Sequence, residues 1–309
     1  LQVPLTSLWP AFLTLLVALI PGAAYVSVIN DFTDRADDLA AGKKNRMIGR
    51  SPAATIALIG LPLVLGAIVM LRWRDDALLL TTYGAAWLAY SCYSLPPIRL
   101  KTRGLAGVLA DACGAHLFPS LLAAILIFRV ADRPIDPTWL IAVGLWSLAY
   151  GLRGILWHQL SDRDNDAHAG VRTFAQRNSA AIVAKLATRV AFPLELMGLA
   201  WLLWQLQSPW PVTFLLLYVG IVVCKRFCWK IHATVVGTRA SYLIVLQDYY
   251  GVFLPAALLI AATVLHPSDG IALALHGLLF PYSILRTVEE SYYLSRSLGG
   301  LVRLRLQRA

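Results

Sequence analysis

The sequence predicts an all-α polytopic membrane protein: a helical bundle of about nine transmembrane helices in two pseudo-repeated halves around a central cavity. Three observations carry the helical membrane class, while the paired halves and the cavity follow from the motifs and the resemblance given below. Of 309 residues, 58% are apolar and only 14% charged, against about 25% charged in soluble domains; the mean hydropathy is +0.65. The apolar residues come in long runs spread from end to end, most of them close to the ~20 residues a membrane helix needs. Lys and Arg gather between alternate runs, as the positive-inside rule demands. The composition excludes a disordered chain, and four Cys exclude a disulfide-stapled secreted scaffold.

In chain order the spans are expected at about 7–30, 52–71, 77–95, 105–128, 138–160, 180–206, 210–224, 244–265 and 270–285, the seventh and ninth being the shortest. None alternates with period two, which argues against a transmembrane barrel. Following these spans, 20 of the 27 Lys and Arg fall on one side and four on the other, with Arg153, Lys185 and Arg189 inside spans. The rich side is therefore expected in the cytoplasm, with residue 1 outside and residue 309 inside. A net charge of +10 distributed this way is no nucleic-acid face, since such a face would not change sides with each span. The chain begins with Leu1 rather than Met, so an upstream segment, a signal or one more membrane helix, is expected before it. We expect one membrane domain over 1–309, with halves at about 7–128 and 138–265, an extra helix at 270–285 and a basic tail at 292–309. In that tail Arg303 and Arg305 alternate with apolar residues, which suits either fixing topology or lying along anionic headgroups.

Carboxylates are scarce here, 17 in all, and those a membrane protein keeps usually mark function. They concentrate at two span ends. Asp34-Arg35-x-x-Asp38-x-x-Ala41-Gly42 matches Asp162-Arg163-x-x-Asp166-x-x-Ala169-Gly170 at a constant offset of 128. Two similar halves around a shared site are a known membrane architecture. Asp31, Asp34 and Asp38 share one helix face by spacing, as do Asp162 and Asp166, whereas Asp37 and Asp164 fall off those faces and are expected to be solvated or to stand N-terminal to the following loop. Like charges so crowded repel unless a cation intervenes. Hard oxygen donors, one or two per ion beside substrate phosphate, describe a Mg2+ site. Gly42 and Gly170 suit helix stops. His158, one turn before Asp162, is a candidate to orient it or a structural residue.

Between the clusters runs Tyr93-Ser94-Leu95-Pro96-Pro97-Ile98-Arg99-Leu100-Lys101-Thr102-Arg103. The prolines end a span and the basic residues suit a diphosphate, Arg in bidentate fashion and Lys as a point charge. Lys43 and Arg46 after the first cluster, and Arg172 after the second, extend this basic set. Cys224 and Cys228 lack partners at zinc spacing and read as packing thiols.

Taken together, Asn30-Asp31-x-x-Asp34-x-x-x-Asp38, Tyr93-Ser94-x-Pro96-Pro97-x-Arg99-x-Lys101 and Asp162-x-x-x-Asp166-x-x-x-Gly170-x-Arg172-Thr173 resemble the UbiA-type superfamily of intramembrane prenyltransferases over about residues 7–265. The resemblance implies a helical bundle with a membrane-open cavity under a cytoplasmic cap. It implies Mg2+ held by Asp31, Asp34, Asp38, Asp162 and Asp166, and a prenyl diphosphate whose chain passes to an aromatic or other lipophilic acceptor. Asn30, Tyr93, Ser94, Arg99, Lys101, Arg172, Lys43 and Arg46 would bind the substrate, and Tyr150 and Trp157, with Tyr90, would line the cavity. The first motif departs from the family in having Arg46-Met47 where an Arg-Pro pair is usual. Alternatives stay open: a terpene cyclase with the same ionisation and no acceptor, phosphoribosyl transfer to a polyprenyl phosphate, or a non-enzymatic transporter. Asp111 and His116, polar residues within the fourth span, suit either a base or acceptor-orienting role or a helix–helix hydrogen bond.

Overall fold

The computed structural model describes residues 3–40, 42–168, 170–237 and 242–306. Among these the chain is almost wholly helical. In order it forms α1 (Trp9–Ala40), α2 (Pro52–Arg72), α3 (Ala77–Ser94), α4 (Leu105–Val130) and α5 (Pro137–Ser161). The short α6 (Arg163–His168) and α7 (Phe174–Arg177) follow, then α8 (Ala180–Leu206), α9 (Pro209–Trp229), α10 (Tyr249–Leu265), α11 (Gly270–Leu279) and α12 (Pro281–Leu306). Two three-residue strands, β1 (His232–Thr234) and β2 (Tyr242–Ile244), pair in parallel. Contacts divide the chain into one unit of residues 8–202 and another of residues 203–306 with residues 3–7.

Each expected span contains a helix, but six described helices are long and apolar enough to cross a membrane, or seven if a bent pair counts as one. Three differences account for this. Window 77–95 is helix α3, yet Thr82, Tyr83 and Trp87 on it face inward and are buried. Window 244–265 contributes only Tyr249–Leu265. The single helix expected at 270–285 is instead α11 and α12, bent by 81°, because Pro281 excludes Phe280 from helical geometry (φ −122, ψ 46). The basic tail as far as Leu306 thus belongs to α12. Apolar side chains on the spanning helices face outward, as in lipid: Ile56, Leu71, Val17 and Ile20 are all exposed.

Three helices carry a π-turn, at Cys113–Leu117, Ala187–Ala191 and Tyr249–Phe253. Each lies just before an x-Pro pair, Phe118-Pro119, Phe192-Pro193 and Leu254-Pro255. A proline ring clashes with the carbonyl four residues back, and one widened turn relieves the clash without ending the helix. In the first unit the core packs Tyr25, Trp73, Tyr83, Trp87, Leu122 and Ile125 from α1 to α4. In the same unit a guanidinium–carboxylate pair, Arg153 on α5 with Glu195 on α8, is almost fully buried and held by two bonds of 2.5 and 2.9 Å. In the second unit the buried Asp269 accepts from the backbone N–H groups of Leu5 and Thr6 at 2.9 and 3.3 Å, capping donors a helix start leaves free.

Candidate active site

The first acidic end is built by α1, which runs unbroken to Ala40 and so keeps Asp31, Asp34 and Asp38 on one face. Gly42 stops it in the left-handed region (φ +66), which costs glycine little. The Gly42 N–H bonds the Leu39 carbonyl at 3.2 Å and the Lys43 N–H that of Asp38 at 2.9 Å. The chain then doubles back. Asn45 donates to the Asp38 carboxylate (2.8 Å) and to the Asp31 carbonyl (2.7 Å). Arg46 pairs with Asp31 at 2.6 Å and donates to the Ser27 hydroxyl.

A second loop closes on the same face. After Pro96-Pro97, Arg99 adopts φ +37, a conformation that costs a non-glycine residue about 1–3 kcal/mol and collects at functional sites. Its guanidinium bonds Asp34 and Asp37, both at 2.9 Å, so Asp37 is not simply solvated: it shares Arg99 with Asp34. Lys101 also pairs with Asp34 and is only 5% exposed. Burial pulls its ammonium below the ordinary lysine range, although the bond to Asp34 opposes this. Gly107 makes that burial possible, since a Cβ there would sit 2.5 Å from the Leu100 carbonyl oxygen and 2.9 Å from Lys101 Cα. Ser94 donates to the Asn30 side chain. The Arg99 Nε is buried with no hydrogen-bond partner among the described residues.

The second acidic end repeats the first in its cap. Gly170 (φ +69) follows α6, the Gly170 N–H bonds the Ala167 carbonyl at 3.2 Å and the Val171 N–H bonds that of Asp166 at 3.0 Å. These are the same two bonds, 128 residues on. Asp162 differs from expectation. It sits at a break between α5 and α6 (φ −92, ψ 5) rather than within one helix. Its carbonyl still accepts from the Asp166 N–H at 2.8 Å, so the two carboxylates remain one turn apart. His158 Nε2 lies 3.6 Å from Asp162. Thr173 donates to Asp166 at 3.2 Å. Burial raises the Asp166 carboxyl above the usual range, the Thr173 bond and the Lys43 charge working against it. Arg172 is exposed, with no ion-pair partner among the described residues. Arg177, which the sequence reading passed over, reaches back to the Thr102 carbonyl at 2.6 Å and so ties this loop to the basic one.

The two ends come within electrostatic reach of each other. Lys43 from the first lies within electrostatic reach of Asp166 in the second, and the Tyr93 phenol senses Asp34, Asp166 and Asp111 together. Among the described residues no three His, Cys, Asp or Glu side chains form a ready metal cage. Beneath this rim a cavity of about 460 Å³ opens, walled by Tyr25, Tyr83, Trp87, Tyr90, Ser27 and Pro119 among others, a size usual for small-molecule sites. Ser27, bonded by Arg46, joins cavity to rim. Tyr90 was expected there. Tyr150 is not in this wall: it stacks on Trp146 (5.8 Å) and meets His116 edge-on (5.1 Å). Trp157 is half-buried on α5 and is likewise outside the wall. Tyr25, Tyr83 and Trp87 take their place. Their inward turn depends on how α1 and α3 pack, which no spacing within one helix reveals.

A charged rim over an apolar, aromatic cavity inside a membrane helix bundle belongs to proteins that handle amphiphiles with an ionic head and a greasy tail. The UbiA prenyltransferase family model matches residues 1–235, and the chain belongs to that family. It is an integral membrane protein of the prenyltransferase type. No curated protein and no solved structure matches the chain.

Proposed function

We propose that the protein ionises a prenyl diphosphate and transfers the prenyl group to an aromatic or other lipophilic acceptor, with the site mouth on the cytoplasmic side. The observation that carries this reading is the meeting of two like-capped acidic helix ends, through Lys43–Asp166 and Tyr93, above an aromatic cavity.

The donor set suits Mg2+. Asp31, Asp34, Asp38, Asp162 and Asp166 offer hard oxygens from two sides, and Mg2+ asks for only one or two carboxylates beside phosphate and water, so a three-carboxylate cage is not needed. Bound there, the ion would neutralise diphosphate charge and ease departure of the leaving group. Arg99 and Lys101 are held on Asp34 and Asp37, and a diphosphate offers them phosphate oxygens as stronger partners. The unpartnered Arg99 Nε is a donor in waiting. Arg172, Lys43 and Arg46 complete the basic ring, and Asn30, fixed by Ser94, offers its amide to the same head group. The prenyl chain occupies the cavity, where Tyr25, Tyr83, Trp87 and Tyr90 exclude water and offer ring faces to the allylic cation.

The test is product analysis by mass spectrometry with geranyl, farnesyl and geranylgeranyl diphosphates plus Mg2+, with and without aromatic acceptors. A prenylated acceptor is expected. A terpene hydrocarbon or alcohol as sole product would replace transfer by cyclisation.

A further inference from the structure

One intramembrane carboxylate is left unused by this account. Asp111 lies in α4 about 9 Å along the helix from its start at Leu105. It makes no hydrogen bond or ion pair among the described residues, so the helix–helix hydrogen bond it was eligible for is not formed. Glu195, another intramembrane carboxylate of the same unit, shows the contrast: it is locked to Arg153. Carboxylates at such depth are paired or functional.

The surroundings of Asp111 define its place. The charge of Asp111 reaches both Tyr90 and Tyr93, and the His158 ring is also within its electrostatic reach. Gly114 and Ala115, at i+3 and i+4 from Asp111, line the aromatic cavity, as does Tyr90, so Asp111 shares the cavity-facing side of α4 one turn nearer the rim. The Tyr93 phenol that senses it also senses Asp34 and Asp166. The carboxylate therefore stands where the charged rim meets the apolar chamber. A prenyl diphosphate with its head on the rim and its tail in the chamber would bring its reacting carbon to that level.

We propose that Asp111 is the base that receives the proton released when the acceptor is prenylated. The proposal rests on the prenyl-transfer reading above. In the step, the C1–O bond to diphosphate breaks, with its electron pair leaving on oxygen. A bond forms between C1 and the nucleophilic atom of the acceptor, and the proton from that atom passes to an Asp111 carboxylate oxygen.

The test compares wild type with Asp111→Asn, using farnesyl and geranylgeranyl diphosphates as probes and a substituted phenol and a naphthalenediol as acceptors. The Asn variant should keep the wild-type KM for prenyl diphosphate and still release diphosphate, with prenyl alcohol accumulating as water captures the cation. Its kcat for coupled product should fall by about a hundredfold or more, and Asp111→Glu should recover part of that loss. Coupling at the wild-type rate overturns the proposal. So does a parallel fall in diphosphate release with a raised prenyl diphosphate KM, which would assign Asp111 to the rim. If the Asn variant unfolds early in detergent, the Glu variant decides: coupling no better than an alanine variant sinks the idea. Failure of the wild type itself to couple any probe overturns the prenyl-transfer reading first, and is told apart because it needs no variant.

Discussion

The two acidic helix ends share a cap but not a manner of support. At the first, Asp31, Asp34, Asp37 and Asp38 are met by Arg46, Arg99, Lys101 and Asn45, nearly all within 3 Å. At the second, the direct side-chain partners of Asp162 and Asp166 among the described residues are His158 and Thr173, with the Lys43 charge farther off. Their helix α5 is fixed deeper down, by the buried Arg153–Glu195 pair. The difference teaches that one end is organised by charges that a diphosphate can recruit, while the other is held by a pair that no substrate reaches. Substitutions at the first should therefore speak in activity, and those under the second in stability.

The largest effect should come from Asp34→Ala, which strips the carboxylate shared by Arg99 and Lys101. Turnover of the folded protein under saturating Mg2+ should drop on the order of a hundred- to a thousandfold, accompanied by a lower thermal unfolding midpoint because the buried Lys101 loses its carboxylate. Retained turnover would break the comparison at its first end. Arg153→Met should do the reverse. Leaving Glu195 buried without its partner costs about 3–5 kcal/mol, visible as early thermal unfolding in detergent, while the protein that remains folded keeps its prenyl diphosphate KM. Gly107→Ala comes next, because its methyl would push the Leu100–Lys101 turn away. We expect a loss of about 1–3 kcal/mol in stability and a raised KM for prenyl diphosphate, read from initial rates. Thr173→Val is the smallest. It removes one hydrogen bond to Asp166, worth about 0.5–1.5 kcal/mol, so activity should fall by roughly tenfold at most. A larger loss would show that the second end is as tightly organised as the first.

Much of this arrangement was legible in the residues because it is local. Spacing put Asp31, Asp34 and Asp38 on one face, and Gly42 and Gly170 marked the stops that later proved to carry identical cap bonds. Other parts were illegible for a physical reason. Asp37 was set aside because it leaves the helical face of its neighbours, yet Arg99 arrives from another loop and bonds it. Arg177 carried no motif, and its tie to Thr102 spans 75 positions. Tyr150 looked like a cavity wall by nearness in sequence, whereas packing turned it onto Trp146 and His116. The run 270–285 is apolar throughout, but Pro281 divides it.

Hydrophobic run length, charge asymmetry and the repeated Asp spacing were enough to determine a membrane helix bundle with two acidic ends, because each depends on neighbours within a few turns of one helix. Only the tertiary structure decided which cation meets which carboxylate, which aromatics wall the cavity and which intramembrane carboxylate has no partner among the described residues. Those outcomes depend on helices and loops brought together from distant parts of the chain, and their side chains acquire partners only when the bundle closes.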